Sequence, residues 1–291
     1  MYATDFEFNG IKASEVGLVI GSWDGESTQD IGCNITYNTS KPINSNRWNI
    51  HGSHYEEPLS IPISCIKNPC VATQDGLVFT PTFQAFLYRW LVLPNQYAYL
   101  RFMQDGYEDI YYYCTMSIQW KTFGGRIIGF SLTATCDSPH GYSKPQFFSK
   151  ENWQKNETFT LYSDSDEVGA IVFDQIELYA KDNGQICIRN DLDAEYSYDG
   201  YSDMIINNCR ANELFLIDGI TKQISYAYDS KHEDLADDYN NHPLRIVNYD
   251  NQTLVNGGAN VISQSRKNVY RNKGIPCSIN LTYRTIRQAV I

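Results

Sequence analysis

Near the C-terminus, Ile275, Cys277, Ile279, Leu281 and Tyr283 alternate with Pro276, Ser278, Asn280, Thr282 and Arg284. A period of two sends one set of side chains to a buried face and the other to a wet one, the pattern of a half-buried β-strand. The same alternation runs through Ile128, Phe130, Leu132, Ala134 and Cys136, with small or polar residues between. Turn signals punctuate the rest. Asp182-Asn183-Gly184 predicts a hairpin joining a strand over 171–179 to one over 185–188, and Asp218-Gly219 predicts another between 214–217 and 222–226. Strands spaced this closely imply an all-β chain with antiparallel sandwiches.

One helix interrupts the pattern. Thr80 is placed to cap it and Pro81 suits its first position. Phe83, Phe86, Leu87, Trp90 and Leu91 then fall at i, i+3, i+4, i+7 and i+8, which predicts a core-facing helix near 81–93, stopped by Pro94-Asn95. Between Ser138 and Pro145 the chain loses periodicity and carries two prolines and a glycine. This divides it into residues 1–145, a β-sandwich with a flanking helix, and residues 146–291, a nearly helix-free β-sandwich. A length of 291 residues suffices for two cores of about 100–150 residues each.

Composition removes several functions. The net charge is −11, with 9 basic against 13 acidic groups in residues 1–145 and 14 against 21 in residues 146–291. No basic stripe exists to hold nucleic acid phosphates. No apolar run approaches the roughly 20 residues of a membrane span, and Asp5 and Glu7 break any signal-peptide pattern at the N-terminus. Folding in a cytosol is therefore expected, with the eight cysteines as free thiols rather than disulfides.

Catalytic and metal constellations are missing from the sequence. His51-Gly52-Ser53-His54 has no helical spacing or carboxylate to make a metal site. Asp164-Ser165-Asp166-Glu167 and Asp191-Leu192-Asp193 lack the glycine and distal glutamate of a calcium loop. Phosphate loops, nucleophile elbows and dinucleotide fingerprints are likewise missing. The sequence predicts no enzyme, no cofactor and no metal.

Phrases in order along the whole chain carry a resemblance. They begin with Phe6-Glu7-Phe8-Asn9-Gly10 running on to Ile20, then Arg89-Trp90-Leu91, the strand Tyr97 to Phe102, Tyr111-Tyr112-Tyr113-Cys114, and Gly129 through Cys136-Asp137-Ser138-Pro139 to Tyr142. Later come Asn207-Asn208-Cys209, Glu213 through Gly219, Pro243 through Asn248, Asn256-Gly257-Gly258-Ala259-Asn260 and Thr282 through Arg287. Together they resemble the distal tail proteins of siphophages, the hub ring at the tip of a long non-contractile tail. The resemblance implies a ring-forming N-terminal domain and a galectin-like C-terminal domain. It also implies a structural virion protein: a homo-hexamer joining the tail tube protein to a tail-associated hub or lysin protein, with a receptor-binding protein as a further partner. DNA would pass through the ring without specific binding, and the acidity suits that passage. The protein would be made and assembled in the bacterial host cytoplasm, with no membrane insertion. Ring contacts are expected on edge strands around 6–20 and 107–114, with Phe6, Phe8, Tyr111 and Tyr113 as contact residues.

The galectin-like expectation raises a rival function, a carbohydrate-binding adhesion module reading host surface glycan. Galectin-like sites pair a His and an Arg with a tryptophan that stacks on the sugar. His242 and Arg245 mimic that pair and Tyr249 lies near them, but no tryptophan follows Trp153. Arg245 therefore reads as a structural or interface residue.

Overall fold

The computed structural model describes residues 3–21, 35–41, 48–70, 74–196, 203–226, 232–249 and 266–288. Cys33 and the Asn256–Asn260 phrase lie outside them. The chain is all-β and forms two compact units, Met1–Ser143 with Arg287–Ile291, and Lys144–Ile286. The division falls two residues before Pro145, and Arg287 onward groups with the first unit.

The first unit comprises β1 (Phe6–Phe8), β2 (Ile11–Lys12), β3 (Leu18–Ile20), β4 (Ile35–Ser40), β5 (Asn49–Tyr55), β6 (Ser60–Lys67), β7 (Ala98–Phe102), β8 (Ile110–Phe123), β9 (Arg126–Cys136) and β10 (Gly141–Ser143). Its main sheet runs β2-β1-β7-β8-β9-β6-β3, with β10 paired to the start of β8. β4 and β5 form a separate two-stranded ribbon. Asn9 and Gly10 both take left-handed φ, +50° and +78°, the geometry a two-residue turn needs to match strand twist. The sheet's far ends meet: Ile20 on β3 donates its N–H to Thr4 O at 3.1 Å, just ahead of β1. The sheet thus curls around its inward side chains, Phe6, Phe8, Ile61, Leu100, Phe130 and Leu132 among them.

Helix α1 (Pro81–Leu91) covers part of that core. Thr80 Oγ1 accepts from Phe83 N–H at 3.3 Å and Pro81 sits at the first helical position, as the sequence indicates. Leu87, Trp90 and Leu91 are buried; Trp90 stacks on Phe6 with ring centroids 6.0 Å apart and donates Nε1–H to Phe8 O at 3.0 Å. The buried arc is narrower than the apolar stripe suggested. Phe86 is 39% exposed and stacks along the rim between Phe83 and Trp90.

The second unit comprises β11 (Gln146–Trp153), β12 (Thr158–Tyr162), β13 (Gly169–Val172), β14 (Gln175–Ala180), β15 (Gly184–Asn190), β16 (Asp203–Cys209), β17 (Leu214–Asp218), β18 (Gln223–Tyr226), β19 (Arg245–Asn248), β20 (Lys267–Asn272) and β21 (Cys277–Tyr283). Two short helices, α2 (Asp191–Tyr196) and α3 (Leu235–Asp238), lie among them. A five-stranded sheet, β11-β21-β14-β17-β18, and a four-stranded sheet, β12-β20-β15-β16, share one core; β13 and β19 pair separately. Ile176, Leu178, Phe215 and Ile279 meet Ile186, Ile188, Met204 and Tyr270 in that core. The alternation in β21 is realised, with Cys277, Ile279, Leu281 and Tyr283 buried.

One expected hairpin is realised and one is not. β17 and β18 pair around Asp218, whose Oδ1 accepts from Ile220 N–H and Thr221 N–H. β14 and β15, by contrast, lie in different sheets, so Asp182-Asn183-Gly184 is a crossing from one sheet to the other. Ile176 and Leu178 are already held between β17 and β21, and Asn183 Oδ1 accepts from Ala211 N–H at 2.8 Å, which anchors the crossing. The expected strand over 171–179 is also divided, because β13 pairs with β19 and the buried Phe173 follows it.

Candidate functional site

The outward positions of β1, β7, β8 and β10 carry Glu7, Arg101 and a cluster of tyrosines. Tyr99 and Tyr113 are cross-strand partners with ring centroids 4.8 Å apart; Tyr97 meets Tyr113 at 5.4 Å and Tyr99 meets Tyr111 at 6.2 Å. Arg101 reaches Glu7 Oε2 at 2.8 Å, donates to Tyr111 OH at 3.3 Å and lies over that ring. The hydrogen bond to Glu7 raises the already high pKa of the guanidinium. Tyr142 on β10 sits opposite Tyr111 and donates its hydroxyl to Asp137 Oδ2 at 3.0 Å. This face is aromatic and internally charge-balanced, a composition typical of protein interfaces.

Two of the expected ring contacts are misplaced by the sequence reading. Phe6 and Phe8 are 0% and 1% exposed and belong to the core of their own unit. Their strand β1 lies between β2 and β7, whereas β2 and β3 end the sheet order, and β8, which carries Tyr111 and Tyr113, is flanked by β7, β9 and β10. The alternation Phe6, Glu7, Phe8 already puts both phenyl rings on one face, and that face is the covered one. Tyr111 and Tyr113 are half-buried on the outer face, so any contact they make uses the face of the sheet.

A second surface was not foreseen. Between the outer side of α1 and the β8–β9 hairpin lies an open cleft of about 380 Å³, lined by Tyr88, Arg89, Leu93 and Trp120 among others. Tyr88 and Leu93 are exposed, as is Phe123 at the hairpin tip, where Gly124 and Gly125 turn the chain with positive φ. The legible signal was Tyr88, off the buried stripe of the helix, and Leu93, just past its end: both are large and hydrophobic yet outside the core-facing pattern.

Two of the suspected glycan residues, Arg245 and Tyr249, share one carboxylate. Arg245, on β19, forks onto Asp193 of α2, with Nε to Oδ2 at 2.6 Å and Nη2 to Oδ1 at 2.9 Å, and Tyr249 donates its hydroxyl to Asp193 Oδ1 at 3.0 Å. The Asp193 and Arg245 side chains are 4% and 12% exposed. The backbone N–H of His242 donates to Asn240 Oδ1 at 3.3 Å. Beneath Arg245, the buried Asn268 accepts from Val247 N–H and donates to Val247 O, so a side-chain amide imitates a strand partner. Asn190 ties Asn268 to the Arg245 carbonyl. These groups fix α2, β19 and β20 to one another.

A buried His232 lies between two carboxylates, Nδ1 3.1 Å from Glu213 Oε2 and Nε2 2.9 Å from Asp238 Oδ2. Among the described residues no group of His, Cys, Asp and Glu is arranged to hold a metal ion, and no helix is long and apolar enough to cross a membrane.

Comparison with known proteins agrees with these two units. Residues 1–138 match the family model described as phage tail protein N-terminal domain, and residues 140–283 match the phage tail C-terminal domain. The chain belongs to this phage tail protein family and is a structural component of the phage tail. No curated protein matches it by sequence. Among solved structures, the Dit protein of phage SPP1, described as a paradigm of hub adsorption apparatus in phages infecting Gram-positive hosts, aligns with a TM-score of 0.55 at 9% identity over 96% of this chain and 98% of that one. A chain of the phage P2 baseplate in its activated, calcium-bound conformation aligns at 0.49 and 8% identity, over 97% and 98%. The fold shared with the SPP1 protein therefore runs from end to end.

Proposed function

We propose that this protein is the distal hub of a siphophage tail: a hexameric ring built by residues 1–145, with residues 146–291 carried as docking sites for adsorption proteins. The observation that carries the reading is the end-to-end fold match to the SPP1 Dit protein, on a chain whose two halves both match phage tail domains. A ring of this kind sits between the tail tube and a tail-associated hub or lysin protein, and its acidity keeps a passing duplex from sticking. The second unit acts as a scaffold. Arg245 is committed to Asp193 and Tyr249 shares that carboxylate, so the groups that would greet a sugar hydroxyl are already occupied within the subunit. The protein is made in the host cytoplasm and works in the virion without catalysing a reaction. Copurification with the tube protein of the same phage tests the placement: a stable complex of the ring with the end of the tube is expected, and failure of the two to associate under conditions where tubes form would overturn it.

A further inference from the structure

The first unit carries opposite charges at opposite ends of β8. Residues 79–93 and 116–136, which form α1 and the β8–β9 hairpin, contain Arg89, Lys121 and Arg126 and no acidic residue, in a chain of net charge −11. All three cations are exposed. At the other end, the turn preceding β8 reads Asp105-Gly106-Tyr107-Glu108-Asp109, with its carboxylates exposed and Tyr107 half-buried at its centre. Two backbone bonds, Tyr107 N–H to Gln104 O and Ile110 N–H to Tyr107 O, hold it as a compact double turn. The 14 residues of β8 separate the two ends by roughly 45 Å at strand rise.

We propose that the acidic turn 105–109 of one subunit docks into the cleft between α1 and the β8–β9 hairpin of the next, with Tyr107 against Tyr88, Leu93 and Trp120 and its carboxylates facing Arg89. The inference rests on the ring reading above and says which surfaces close the ring. The occupant follows from charge. A two-fold contact through the cleft would set Arg89 against its own copy, and one through the turn would set carboxylate against carboxylate. Only head-to-tail contact pairs unlike charges, and head-to-tail contact with a closing rotation generates rings. The apolar walls supply the buried area, while the charges select partner and direction.

The test uses the full chain, with native mass spectrometry and negative-stain images reading assembly. Wild type should form rings that weaken as salt rises, because the charged rim is screened. Arg89→Glu, and separately Asp105→Lys with Glu108→Lys, should each cut the assembled fraction at least tenfold while leaving the melting curve near wild type, since all three positions are exposed. Mixing the two variants should restore rings of alternating subunits, because every junction then pairs unlike charges again. Wild-type rings indifferent to both reversals, or a loss that mixing does not repair, overturn this contact alone. Reversals that spare the ring but abolish binding of the tube protein assign the cleft to the tube instead and also overturn it. A wild type that stays monomeric even with tube protein overturns the ring reading and this contact with it.

Discussion

Arg245 and Asp193 form a two-point ion pair, 52 residues apart in sequence and almost withdrawn from solvent, with Tyr249 hydrogen-bonded to the same carboxylate. Planar guanidinium and carboxylate match in this geometry, and breaking such a pair strands a buried charge. Arg245→Ala should therefore destabilise the protein by about 3–5 kcal/mol, and Arg245→Lys should recover only part of that loss because lysine cannot reproduce the fork. Denaturant unfolding checks this; an Arg245→Ala midpoint equal to wild type would show that the pair is incidental.

Trp90 packs on Phe6 and bonds the Phe8 carbonyl, joining α1 to β1. Trp90→Ala should cost about 3–5 kcal/mol, the range for emptying a buried aromatic site. Phe86→Ala, one turn earlier but 39% exposed, should cost much less. Equal losses at the two positions would contradict the placement of the helix.

The thiols should differ sharply in reactivity. Cys70 is exposed, whereas Cys65, Cys114, Cys136, Cys187, Cys209 and Cys277 are buried. Burial pushes the Cys209 pKa up to about 11 and that of Cys277 up to about 12. Cys114 is raised by its hydrogen bond with Cys136, its cross-strand partner, and then by burial. Since the thiolate is the reactive form, a brief pulse of alkylating reagent at pH 8 should label Cys70 well before these six. Labelling of Cys277 at the rate of Cys70 would contradict the packing around β21.

Asp137 has a pKa above the usual carboxylate value because burial outweighs the hydrogen bond from Tyr142 and one from its own backbone. A raised folded-state pKa means that the folded state holds the proton more tightly than the unfolded one. The contribution of Asp137 to stability is then fullest below the ordinary carboxylate pKa and is lost as pH rises through the raised value. The stability difference between wild type and Asp137→Asn should accordingly shift in favour of the variant as pH rises from 3 to about 7. A difference that is flat, or that moves toward wild type, would contradict the shift.

Local pattern made much of the fold legible. Period-two runs located β9 and β21, and Thr80 with Pro81 located the start of α1, because strand faces and helix caps are set by residues within a few positions. What local pattern could not supply was the partner of each strand. Asp182-Asn183-Gly184 has the chemistry of a hairpin turn, yet β14 was already flanked by β17 and β21, so the same turn carries the chain across to the other sheet. Phe6 and Phe8 were misread in the same way: their alternation was visible, but the flanking of β1 by β7 depends on residues more than 90 positions away. The candidate site shows the same limit. Arg245 was singled out, but its partner Asp193 drew notice only as part of a possible calcium loop. The cleft beside α1 requires the helix and the β8–β9 hairpin to be side by side, which no local motif announces.

The most direct test of the central claim is the stoichiometry of the purified chain, measured by native mass spectrometry and by class averages of negatively stained particles, alone and with tail tube protein. The account predicts closed rings of six subunits with an open centre. Particles that remain monomeric at high concentration with tube protein present, or that grow into open filaments instead of closing, would contradict it.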